Sequence, residues 1–324
     1  MGKWAGLLAV AVAVGANACT VKADDSSRFR DPIPQGGDVA MAVPGSSTGS
    51  ATKAQSTGLR LMDTPGATSY AEYYQATRDL TDSVDTGTAS VLGLVWMIVN
   101  LPPTSLGPHT AVWGPGADDA LSPVVWRMTV NEVGDHEYDY TLEGRPKAST
   151  SEADYKAILT GHGFGKERIE HRQGWFKVDN DVSHALDPAK NHDSGNLKIT
   201  YDLRQLPETI NVDLVTTDKP ANGTILVTHE AGGAGAVDIT THHAADATAG
   251  INADDLVLHS RWDQTGAGRG DAQYAGGTLP PTIPSVQASE CWNTAFARVY
   301  YKDSQNWKPE SGNPASCVFA QAKF

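Results

Sequence analysis

Ten histidines and 38 acidic residues give this 324-residue chain many places where chemistry could occur. A zinc hydrolase helix needs two histidines four residues apart. His136-Glu137 and His229-Glu230 each begin such a motif, and neither has the second histidine. His242 and His243 are adjacent in a stretch that reads as a strand, so their rings leave opposite faces and do not share an ion. His184 and His192, with Asp187 and Asp193, form the best nominal metal cluster, and a solvated loop accounts for them as well. Asp179-Asn180-Asp181 opens like a calcium loop, but His184 stands where that loop needs glycine and no glutamate closes it. The sequence therefore implies neither metal nor cofactor.

Other short motifs weaken for similar reasons. Gly45 to Gly49 spells G-x-S-x-G around Ser47, yet a nucleophile elbow needs a strand before it and a helix after it, and neither is present. Gly161-His162-Gly163-Phe164-Gly165-Lys166 lacks the spacing of a phosphate-binding loop. Gly266-Ala267-Gly268-Arg269-Gly270-Asp271 lacks the last glycine of a dinucleotide fingerprint, and strand signals on both sides make it a hairpin turn. Its Arg269-Gly270-Asp271 matches an adhesion tripeptide that occurs often by chance. Asp254 and Asp255 are the carboxylates a hydrolase could use, although neighbours on a strand point to opposite faces. Arg261, Trp262, Arg269 and Trp292 are distinctive, and their structural reading is plain. The tryptophans fill a core and the arginines pair with carboxylates or strand-end carbonyls.

The start of the chain gives an address. Lys3 precedes an apolar run from Trp4 to Gly15, and Ala16-Asn17-Ala18 supplies small residues before Cys19, the layout of an export signal over residues 1–18. Some ~12–15 apolar residues fall short of the ~20 that span a bilayer. A cysteine directly after small residues resembles the bacterial lipoprotein signal, which implies an acylated Cys19 as the mature N-terminus. The pattern departs at Ala16, where the family usually has leucine, so a plain cleavage site and secretion to the periplasm remain the alternative. Residues 19–58 are rich in Ser, Thr, Gly, Ala and Pro and read as a disordered tether.

The cysteine count fits this address. Cys19, Cys291 and Cys317 are the three cysteines. With Cys19 lipidated, the other two form an even pair in an oxidising compartment, where a disulfide is expected; two buried free thiols are the alternative. The net charge of −13 speaks against nucleic acid, which needs clustered Lys and Arg, and against attraction to anionic lipid.

Residues 59–324 read as one α+β domain. The helical part is 68–100. Ser69 and Glu72 suggest a capping box, and Tyr70, Tyr73, Tyr74, Thr77, Leu80 and Val84 recur at helical intervals. Gly87 is a candidate kink. The following segment, Val91, Leu92, Leu94, Val95, Trp96, Ile98 and Val99, is too apolar for water and too short for a membrane, so it should cover the core with Trp96 at its centre. From Val124 the period becomes two, with Gly134-Asp135 and Asn222-Gly223 as hairpin turns. Residues 293–303 read as a short helix and 317–322 as a last strand. The expected architecture is a large antiparallel meander over 124–324, a curved sheet or open barrel, covered by the helical region.

The stretch from His259 to Tyr301, with "LPPTSLGPHTAVWGP" and the Cys19 signal, resembles lipoproteins of unassigned function from Gram-negative envelopes. The resemblance implies a membrane-anchored envelope protein, in the outer membrane rather than the inner, and brings no activity. Two function classes follow: a non-enzymatic carrier of an apolar ligand or scaffold for another envelope protein, and an extracytoplasmic hydrolase using carboxylates or histidines on the sheet face. An apolar pocket under Trp96 favours the carrier; convergent carboxylates and histidines favour the enzyme.

Overall fold

The computed structural model describes residues 26–45, 70–117, 122–217, 221–245, 250 and 252–324. Cys19, Ser47 and Ser69 lie outside them. A long helix, α1 (Glu72–Val99), precedes the strands β1 (Ser105–Leu106), β2 (Thr110–Gly116), β3 (Val124–Gly134), β4 (Glu137–Pro146), β5 (Lys156–Phe164) and β6 (Gln173–Asp179). A short helix, α2 (Asn180–Leu186), leads to β7 (Asn196–Asp202), β8 (Glu208–Thr216), β9 (Ala221–His229), β10 (Gly235–His243) and β11 (Asp254–Trp262). The chain ends with β12 (Gly268–Gly276), β13 (Ser285–Trp292), β14 (Arg298–Asp303) and β15 (Ser311–Gly312). All fifteen strands form one open sheet in sequence order, each antiparallel to the next. This is the expected meander, because connections of a few residues can only return a strand beside its predecessor.

Alternation sets the two faces. Along β7, Leu197, Ile199 and Tyr201 are buried, while Lys198 and Thr200 are exposed. The same inner face carries Tyr138, Tyr140, Phe176, Ile210, Val212, Ile225, Val227 and Leu258, and it needs a cover. Helix α1 supplies part of that cover, meeting β11, β12 and β13 as well as β2 and β3. Its buried positions, Tyr73, Tyr74, Thr77, Thr81, Val84, Thr88, Leu92, Val95 and Val99, follow the three-and-four spacing of one helical stripe. Two of the threonines satisfy their hydroxyls on the helix's own backbone as it comes close: Thr77 Oγ1 donates to the Tyr73 carbonyl at 2.8 Å, and Thr81 Oγ1 to the Thr77 carbonyl at 3.0 Å. At Gly270 a Cβ would stand 2.7 Å from Tyr73 Cβ, so helix and sheet touch where only glycine fits.

The second part of the cover departs from the expected tether. Within residues 26–45, Phe29, Ile33, Val39, Met41 and Val43 are all buried in the common core. Phe29 packs edge-on against Tyr138 with ring centroids 5.8 Å apart. The Met41 N–H donates to the Asp85 carboxylate on α1, and His229 on β9 meets the Met41 carbonyl at 2.9 Å. Five apolar side chains spaced among Gly and Pro were enough to dock this stretch, although its composition reads as a linker.

Other boundaries also differ. Helix α1 passes through Gly87 and Gly93 unbroken. Its N-cap is Ala71, with Glu72 as the first helical residue, so no capping box forms. Leu92 and Val95 are fully buried and form the centre of the helix's second half; Trp96 is half-buried and donates its indole N–H to the Pro34 carbonyl at 2.9 Å. The sheet begins at Ser105, ahead of Val124. Asn222 and Gly223 lie inside β9, where they pair with His242 and Thr241. Residues 298–303 form strand β14 where a helix was expected, and 317–322 form no strand. No helix among the described residues is long and apolar enough to cross a membrane.

If residues 26–45 are core, Phe29→Ala should cost about 3–5 kcal/mol in urea unfolding. Met97→Ala, on the exposed side of α1, should stay within about 0.5 kcal/mol of the parent. Equal midpoints for Phe29→Ala and the parent would return the segment to a tether.

Candidate functional site

A dense cluster of polar groups lies where β11 to β14 meet the start of α1, and it uses both faces of the sheet. On the inner face, Glu290 of β13 is fully buried, and its Oε2 accepts the backbone N–H of Tyr73 at 2.7 Å. Ala71 has no side chain to cap α1, so a carboxylate from a strand serves its first turn, where helix N–H groups and the macrodipole favour negative charge. Around it, Arg298 lies 3.6 Å from Glu290 and 3.5 Å from Glu72, and Lys308 Nζ donates to both Glu72 oxygens at 2.9 Å. Burial pushes the Glu290 carboxyl up to about 7, against the pull of the Tyr73 and Glu72 N–H groups; the Glu72 charge raises it further and Arg298 lowers it. The Trp292 ring packs beside Tyr74, which stacks on Phe296 with centroids 4.3 Å apart.

On the outer face, alternation brings Arg261, Arg269, Asp271, Ser289 and Cys291 together. Arg261 pairs in register with Arg269, and Arg269 with Cys291. Asp271 is almost wholly buried and collects four donors: Arg269 Nε at 2.8 Å, Ser289 Oγ at 2.7 Å, the Lys323 N–H at 3.0 Å and Arg261 Nη2 at 3.4 Å. Residues 317–324 lie across this cluster. Arg269 Nη1 donates to the carbonyls of Phe319 and Ala320, and Arg261 to that of Gln321. Cys291 and Cys317 stand at disulfide distance with Cα atoms 5.4 Å apart, fixing one end of the strap.

The distinctive residues of the sequence thus meet at one corner. Trp262 and Trp292 are buried and donate their indole N–H groups to the Gly233 and Gly266 carbonyls, each at 3.0 Å. The arginines pair with a carboxylate and with carbonyls. Asp271, Ser289 and Glu290 received no role in the sequence reading. The i, i+2 spacing of Arg269 and Asp271 was the available signal, since it places both on one strand face; the glycine-rich run around them reads as a turn. That turn is confined to residues 263–267, and Gly268 to Asp271 belong to β12.

Elsewhere His162 lies 2.8 Å from Asp139 and 3.4 Å from Glu137, His136 lies 3.5 Å from Glu167 and 3.7 Å from Asp135, and three further histidines meet single acids across strands. His242 bonds Asp255 at 2.7 Å and His243 bonds Asp254 at 2.7 Å, one pair on each face, while His259 bonds Asp238. Ser260, next to His259, points inward to Thr77 at 2.5 Å, so no hydroxyl joins the His259–Asp238 pair from that position. Asp254 and Asp255 do not converge. The stretch that opens like a calcium loop forms helix α2, capped by Asp179, which accepts the Val182 N–H; His184 of this helix bonds the Asn191 carbonyl. Among the described residues no three His, Cys, Asp or Glu side chains gather as a metal would require. No protein-family model, no curated protein and no solved structure matches this chain.

Glu290 makes stability fall with pH. Its folded pKa lies above the ordinary glutamate value of 4.5, so the native state holds a proton that the unfolded chain releases as pH rises from about 4.5 to 7. Over that window the group should cost the parent on the order of 3 kcal/mol. Glu290→Gln keeps an acceptor for the Tyr73 N–H and removes the titration. Urea unfolding should find the variant equal to the parent near pH 4.5 and more stable at pH 8; a variant less stable at pH 8 would show that the ionised carboxylate is favourable.

Proposed function

We propose that this chain is a cell-envelope lipoprotein, acylated at Cys19, whose folded body is a non-enzymatic scaffold for another envelope protein. One observation carries the scaffold reading: the apolar face on which a ligand carrier would hold its cargo is occupied by the protein's own α1 and residues 26–45. Trp96, the expected roof of a ligand pocket, instead closes on Pro34. The carrier reading is correspondingly weaker. A hydrolase finds less support, because the carboxylates Asp254 and Asp255 engage different histidines on opposite faces. The Cys19 signal and the resemblance to Gram-negative envelope lipoproteins support anchoring in the outer membrane by an N-terminal lipid, with the acidic domain held off the anionic surface.

Cell fractionation of Cys19→Ala tests the anchor, with intact mass reporting the acyl chains. The parent should sediment with membranes and carry added lipid mass. The variant should move to the soluble periplasmic fraction. A variant that stays with membranes as fully as the parent would contradict the lipid anchor.

A further inference from the structure

The outer-face cluster of β11 and β12 is unusual in what it binds. Its contacts to residues 319–323 are to main-chain atoms: three carbonyls receive guanidinium N–H groups from Arg261 and Arg269, and one N–H is accepted by Asp271. Arg269 and Asp271 have side chains only 6% and 1% exposed, so two of the three charged groups that read the strap are largely desolvated, while Arg261 is 32% exposed. Hydrogen bonds of this kind are the strong ones. The strap's own side chains engage little. Val318 and residues 320–324 are exposed, and only Phe319, beneath the Arg261 guanidinium, and Phe324, beside the His259 ring, make ring contacts.

A segment recognised through its backbone is replaceable by another of similar shape. Two further features favour replacement. The covalent tie sits at one end, at Cys317, so residues 318–324 can leave while the disulfide holds. Beside the strap's far end lies a recess of about 140 Å³ lined by Asp238, His259, Arg261 and Lys323, room for a longer or differently shaped segment. We propose that the Arg261–Arg269–Asp271 cluster is a binding site for the main chain of an extended peptide segment of a partner protein, and that residues 318–324 occupy it in cis. The site accepts aromatic side chains at two positions, those held by Phe319 and Phe324, and tolerates variation between them. The identity of the occupant as a partner segment rests on the scaffold reading; the site itself does not.

The test uses the full chain and a fluorescent peptide of sequence VFAQAKF, residues 318–324. The strap is loosened in cis by Phe319→Ser with Phe324→Ser, and in a second variant by Cys291→Ser with Cys317→Ser. Near-UV circular dichroism confirms that each variant is folded. Fluorescence anisotropy should show saturable binding to a loosened variant and at least about tenfold weaker binding to the parent, whose strap competes. Adding Arg261→Ala should weaken the loosened variant at least about tenfold, as should Lys323→Pro in the peptide, which removes the N–H that Asp271 accepts. Replacing Ala320 and Ala322 of the peptide by serine should change affinity less than about threefold. No saturable binding to either folded variant, or full binding of the proline peptide, would overturn the site. Either result leaves the scaffold reading to be judged by photo-crosslinking of the intact lipoprotein in envelopes, so the two claims fail separately.

Discussion

Fifteen strands in sequence order give one sheet with a broad apolar face, and water must be kept from it. No second sheet is present among the described residues to do so. The cover comes from α1 laid across β11–β13 and β2–β3, and from residues 26–45 placed beside it over the middle strands. The rest of the structure follows from this contact. Threonines line the helix where it approaches the sheet, glycine replaces larger residues at the point of closest approach, and a buried glutamate from β13 takes over the capping that Ala71 cannot provide.

Filling the inner face leaves the outer face to carry recognition. At most strands that face is an ordinary solvated surface of Lys, Thr and Asp, with His–Asp pairs pinning neighbours across the register. At β11 to β13 it becomes a buried charged cluster under a strap. A buried ion pair is poor evidence of stability, since desolvation offsets much of the Coulomb gain. Arg269 and Asp271 are better understood through what they hold, the backbone of residues 319–323.

Much of the fold was legible because the meander is local. Period-two stretches such as 196–202, separated by short turns, specify both strand and face. The misreadings have physical causes. Asn222-Gly223 is a strong turn pair, but the ladders with β8 and β10 drew it into β9. Residues 298–303 contain residues tolerated in helices, while the ladder with β13 decided the outcome. Residues 26–45 hold too few apolar side chains to order themselves, and only the waiting sheet face makes them fold; composition cannot report that. The candidate corner was half visible. Arg261, Trp262, Arg269, Trp292 and the two cysteines stood out by type, whereas Asp271 and Glu290 gain meaning only from the register that buries them.

Hydrogen exchange followed by mass spectrometry tests the occupied inner face directly. If α1 and residues 26–45 are part of the core, amides of Thr77 to Val99 and of Met41 should exchange only through global unfolding, with the same protection as the central strands β6 to β9. Fast exchange of α1 and Met41 while those strands stay protected would mean that the cover lifts from the sheet. The inner face would then be free to hold a ligand, contrary to this account.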